Sequence, residues 1–174
     1  MAYIPTPVVA DIIRCVGKQG FRHLGPFIAV KPAYKELVYS DEVWFEVDLD
    51  EFIFNSQLAN VSSSYRPFLM KCFEKGHPTA KYVESLRILT QVGPSQAVFD
   101  MLGETATESI YAHFAYAMML IMCGALEDGL LLMKAYFRKV PNIHDDVMIA
   151  DQVEIQIREM GLFGYCYLQR ILPF

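Results

Sequence analysis

Apolar positions recur along this chain at intervals of three and four, the spacing that gathers them on one side of an α-helix. Val8, Ile12, Ile13 and Val16 share such a face, with Thr6 placed to cap the helix, Pro7 as its first residue and Gly17 past its end. Gly25-Pro26 interrupts residues 21–30 and predicts two short turns there. Pro32 starts a helix carrying Tyr34, Leu37 and Val38. Ser40 is placed to cap the next, with Val43, Trp44 and Val47 apolar and Asp41 and Glu42 near its positive end. Residues 50–64 read as a linker, since 55–64 are polar and include Ser62-Ser63-Ser64. Longer helices follow over 65–75, 78–89 and 95–102, punctuated by Gly76, Gly93-Pro94 and Gly103. Thr105-Ala106-Thr107-Glu108 is a candidate capping box for a helix reaching Cys123 and closed by Gly124. Residues 126–140 end at Pro141, and 145–160 end at Gly161. Strand alternation is nearly absent, and the ambiguous stretch 45–54 is read as turn or short helix. The pattern therefore predicts an all-α fold, with short irregular helices in the first third and antiparallel pairs after it.

Composition changes this picture in one respect. Hydrophobic residues make up 53% of the 174 positions and charged residues 20%, above the usual apolar share of ~45–50%. Surplus apolar surface of this kind marks a partner interface as readily as a greasy core. The net charge of −5 and the lack of any Lys/Arg cluster argue against a nucleic-acid partner. Cys15, Cys72, Cys123 and Cys166 are scattered, without a Cys-x-x-Cys pair, and read as reduced thiols packed into the structure rather than a disulfide framework. No basic stretch precedes an apolar run at the start, so no signal peptide is expected. The apolar run 115–126 is shorter than the ~20 residues of a membrane span. A cytoplasmic or nuclear protein without membrane contact is expected.

Residues 4–49 resemble an F-box. Ile4-Pro5 stands at that family's Leu-Pro position, Val8, Ile12, Ile13 and Val16 follow at its spacing, and Leu24 falls at its mid-module Leu. Val30, Tyr34 and Leu37 match the next part of the pattern and Trp44 the late aromatic, whereas Lys31-Pro32 replaces the family's Ser-Lys pair. A module of ~45 residues hardly buries a sufficient core alone. The resemblance implies that a Skp-type adaptor, linked to a cullin, covers what is left open. Ile4, Pro5, Val8, Leu24, Val30 and Tyr34 are the candidate adaptor-binding residues, each of which could equally be ordinary core.

Residues 65–140 resemble Sel-like repeats, relatives of tetratricopeptide repeats. The carrier is Lys71-Cys72-Phe73-Glu74-Lys75-Gly76-His77-Pro78-Thr79-Ala80-Lys81-Tyr82. Gly76 permits the turn between helices and the small Ala80 their close approach. A weaker echo runs through Ser109-Ile110-Tyr111-Ala112-His113-Phe114-Ala115-Tyr116-Ala117, and residues 129–137 read as the first helix of a further pair. F-box followed by such repeats resembles a plant family of F-box proteins. Residues 141–174 have no counterpart, and the apolar segment 162–168 is expected to pack back as a cover on the last repeat.

Motifs for chemistry are missing. His23, His77, His113 and His144 never fall at i, i+4, so no zinc site is expected. His77 is placed to cap a helix or face solvent, and His113 reads as a core histidine. Asp48, Asp50 and Glu51 read as a solvated acidic rim, and Trp44 as core. No nucleotide loop or nucleophile elbow occurs, so neither catalytic residues, nor a metal, nor a cofactor are assigned. The expectation is a non-catalytic, substrate-recruiting subunit of an SCF-type ubiquitin ligase, carrying an unknown target protein. The alternatives are a repeat protein with a degenerate F-box, motivated by Lys31-Pro32, and a small helical enzyme with a spatially assembled site.

Overall fold

A computed structural model describes residues 4–161. The expected cover 162–168 lies outside the described residues. Those described contain helices and turns and no strand. The first part holds α1 (Thr6–Gly17), a 3-10 turn at Phe21–Leu24, α2 (Gly25–Val30), α3 (Pro32–Val38), α4 (Asp41–Trp44), α5 (Glu51–Phe54) and a second 3-10 turn at Ser56–Ala59. Then come α6 (Arg66–Glu74), α7 (Pro78–Gln91), α8 (Gln96–Thr105), α9 (Ile110–Met122), α10 (Leu126–Lys139) and α11 (Ile143–Met160).

Punctuation residues set most of these limits. Gly76, Gly93 and Gly124 end α6, α7 and α9 with φ of 85°, 116° and 89°, a region that disfavours side chains. Pro32 opens α3 from an extended Lys31 (φ −162°, ψ 154°), as the residue before proline prefers. Some expected caps differ. Pro5, not Thr6, holds the position before α1. Ser40 precedes α4, but its hydroxyl donates to Leu37 O at 2.7 Å. Thr105 does not open α9. It belongs to α8, its hydroxyl bonding Met101 O at 2.8 Å, and Ser109 caps α9 by accepting from Ala112 N–H at 3.3 Å. Helix α8 runs past Gly103 because Tyr116 of α9 packs there, its ring only 3.1 Å from where a Cβ would sit.

The longer helices pack as α7 with α8 and α9 with α10, and α11 lies against both α7 and α9. Helix α10 is therefore the second member of a pair with α9, not the first of a further pair. Gly129 makes this possible: a Cβ there would meet Ile121 Cγ1 at 2.5 Å and the Ala117 carbonyl oxygen at 2.9 Å.

Residues 50–64 are packed rather than extended. Phe52, Ile53, Leu58 and Ala59 are buried, and the Gln152 side-chain amide of α11 donates to Ile53 O at 2.8 Å. The polar residues around these four apolar ones mask them, so the sequence pattern there has the look of a linker. Phe21 joins the short helices to the long ones, its ring centroid 4.5, 5.5 and 5.7 Å from those of Phe52, Tyr65 and Phe68. One continuous core runs from Val9 through Leu69, Tyr82 and Leu102 to Met160.

Three buried polar groups tie this core together. Glu84, 3% exposed, receives Arg66 and Arg87, while Arg66 also donates to Ala59 O. Burial pushes the Glu84 carboxyl up, but these guanidinium hydrogen bonds outweigh it and hold the group below its ordinary range. His77 caps α7 by accepting from Thr79 N–H at Nδ1, and its Nε2–H donates to Val47 O at 3.0 Å. His113 of α9 is wired alike, with Nε2 on Leu132 O and Nδ1 taking Lys139 Nζ.

Gly129→Ala tests the α9–α10 contact. In an open helix this change gains up to ~1 kcal/mol. Here the collision with backbone reverses the sign, and chemical denaturation should show a loss of about 1–3 kcal/mol.

Both histidines are needed neutral, and desolvation lowers their pKa from the ordinary 6.5. Their contribution is complete above that value and is lost as pH falls through it toward the lower folded value. Denaturant midpoints measured between about pH 7.5 and 5 should therefore fall, and His77→Gln should make the fall shallower.

Candidate functional site

The amino-terminal helix presents two apolar stripes rather than one. Val9, Ile13 and Gly17 turn inward; Ile13 is fully buried, and Gly17 comes close enough to Val47 that a Cβ would sit 3.2 Å from its side chain. Backbone bonds fasten this end, with Asp48 N–H on Gly17 O and Phe21 N–H on Asp48 O. Ile4, Val8 and Ile12, one turn apart, stay outside with exposures of 54%, 46% and 44%. The single face read from the spacing of Val8, Ile12, Ile13 and Val16 is therefore divided: Ile13 is core, Val16 half-buried, Val8 and Ile12 outward.

The other candidate residues separate in the same way. Pro5 is exposed and its carbonyl accepts from Val8 and Val9 N–H, starting α1. Val30 ends α2 at 68% exposed. Tyr34, half-buried on α3, carries the Lys31 ammonium 4.2 Å from its ring centroid. Leu24 is a correction. It is 0% exposed, packed where Gly17 comes down on its methyl groups, so it supports the ledge from behind and offers no surface to a partner. Ile12 is the residue to add, and its position one turn beyond Val8 is the sequence signal that would have found it.

Charged side chains frame this ledge. Arg14 pairs with Asp11 at 2.9 Å, and Lys18 with Glu46 at 3.1 Å. Trp44, 8% exposed, donates its indole N–H to Asp41 at 2.9 Å, and Lys75, the residue after α6, meets the same carboxylate at 2.7 Å. The Lys75 and Trp44 hydrogen bonds hold the Asp41 carboxyl below its ordinary value. Beside α3, an open groove of about 640 Å³ is lined by Pro32, Lys35, Glu36, Tyr39, Pro67 and Lys71.

The acidic stretch expected as a solvated rim is engaged locally. Asp48 accepts from Asp50 N–H at 2.7 Å, and Glu51 pairs with Arg22, whose guanidinium also reaches Tyr65 OH. Among the described residues, no group of three or more His, Cys, Asp or Glu side chains is placed to hold a metal ion, and no helix is long and apolar enough to cross a membrane. Cys72 is buried in α6, and desolvation pushes its thiol up to about 12, while Cys15 and Cys123 are exposed. Comparison with family models, curated proteins and solved structures finds no match for this chain.

Core and ledge differ measurably. Leu24→Ala should cost about 2–5 kcal/mol in chemical denaturation, whereas Val8→Ala should stay within about 0.5 kcal/mol.

Proposed function

We propose that the chain is a non-catalytic, substrate-recruiting subunit of an SCF-type ubiquitin ligase. The F-box-like helices of residues 4–49 take a Skp-type adaptor and, through it, a cullin, while the Sel-like helices beyond carry a target protein. Other subunits supply the ubiquitin chemistry, so this chain contributes proximity and orientation.

The observation that carries the reading is the open Ile4–Val8–Ile12 stripe, next to a second stripe already committed to the core. A helix apolar on one side buries that side in its own domain. Apolar positions on a further side, spaced one turn apart, suit a partner helix laid along them. Val30 and Tyr34 add a second apolar point at the α2–α3 junction, where α3 packs on α1. Lys31-Pro32, the departure from the family pattern, forms the start of α3 in good geometry, so it leaves the helix order of the module intact.

Co-purification with a Skp-type adaptor tests this reading. The wild-type chain should retain adaptor, and Val8→Glu or Ile12→Glu should abolish retention while circular dichroism stays unchanged. Adaptor held equally well by both variants would remove the ledge from the docking surface. No retention by the wild type would leave an interaction protein without ligase assembly.

A further inference from the structure

Helix α10 is covered on one side only. Gly129 and Tyr136 are buried against α9, while Leu126, Leu130 and Phe137 are 53%, 45% and 49% exposed, with Met133 half-buried between them. These four positions are spaced 4-3-4, the a/d pattern of a two-helix seam, with Leu126 and Met133 as d and Leu130 and Phe137 as a. Leu131, 68% exposed, widens the apolar face.

The charges beside the seam say what fits it. The flanking positions that follow Leu126 and Met133 are Glu127 and Lys134, both exposed and of opposite sign. When two copies of α10 lie antiparallel about a two-fold axis, Leu126 meets Phe137 of the other copy and Leu130 meets Met133. Glu127 then flanks Lys134 of the other copy, and the two-fold repeats that pair further along the same edge. A parallel arrangement would turn these two positions toward the flank occupied by Gly129 and Tyr136, which α9 already buries, and leave the charges unpaired. The helix macrodipole accounts for an acid in the first turn and for Arg138 and Lys139 in the last. It does not account for Lys134, which lies before the last turn and on the edge of the seam. Acid and base on one edge of a seam, placed to exchange under a two-fold, make the surface complementary to itself.

We propose that the exposed face of α10 is a self-association surface on which a second copy of this chain docks antiparallel. It lies on a different helix from the α1 ledge and stands whether or not an adaptor binds there.

Sedimentation equilibrium on the full chain tests it. The wild type should be a dimer, and Leu130→Glu a monomer with an unchanged helical spectrum and the melting temperature of wild type diluted to monomer. Glu127→Lys and Lys134→Glu should each weaken association about tenfold or more by placing like charges together, and the double exchange should restore it. Three results would overturn the proposal. One is a wild type that stays monomeric at its solubility limit, whether residues 162–174 or another protein takes the face. Another is a dimer that survives Leu130→Glu. The third is a double exchange that associates no better than the single ones.

Discussion

The packing of Phe21 against Phe52, Tyr65 and Phe68 is the interaction on which the rest of the structure depends. Between Phe21 and Ala59 every helical segment is seven residues long or shorter. Isolated helices below ~12–15 residues are marginal in water, so these persist only through tertiary contact. Phe21 supplies much of it by placing one ring among side chains from α5, the chain before α6, and α6 itself. The His77 cap and the Lys75–Asp41 pair add polar connections across the same boundary. Short and long helices thereby share one apolar interior, and the amino-terminal helices do not close on themselves as a separate unit.

That dependence explains where open apolar surface remains. A helix committed to the core through Val9, Ile13 and Gly17 has its orientation fixed, and Ile4, Val8 and Ile12 are then held outward at a defined spacing. The same logic applies to α10, where the close approach of Gly129 to α9 leaves Leu126, Leu130 and Phe137 facing away. Both surfaces sit on helices anchored in the core, so little ordering entropy would oppose a partner docking on them.

Much of this architecture was legible in the sequence, and the reasons are local. Glycines with positive φ at Gly76, Gly93 and Gly124 and prolines at Pro7, Pro32 and Pro78 act within a turn of themselves, so helix order and approximate ends could be read. His77 as a cap and His113 as a core group also followed from their neighbours. What failed required knowledge of the partner helix. On α1 the two apolar stripes lie about 100° apart, and periodicity alone does not say which meets Val47. Leu24 matched a family position but lies behind the ledge. Gly103 looked like a helix end, yet its missing side chain serves Tyr116 of α9. The Thr105 motif had the composition of a cap, but its hydroxyl found a carbonyl of its own helix first.

Burial of Cys72 gives the molecule an internal clock. Only a thiolate reacts readily with alkylating reagents, and a thiol raised to about 12 within α6 offers almost none while the helix is in place. Its modification must wait for α6 to open from the core, so the rate of labelling at this one atom counts openings of the interior. Cys15, on the outer helix, reacts without that wait and supplies the zero of the same scale.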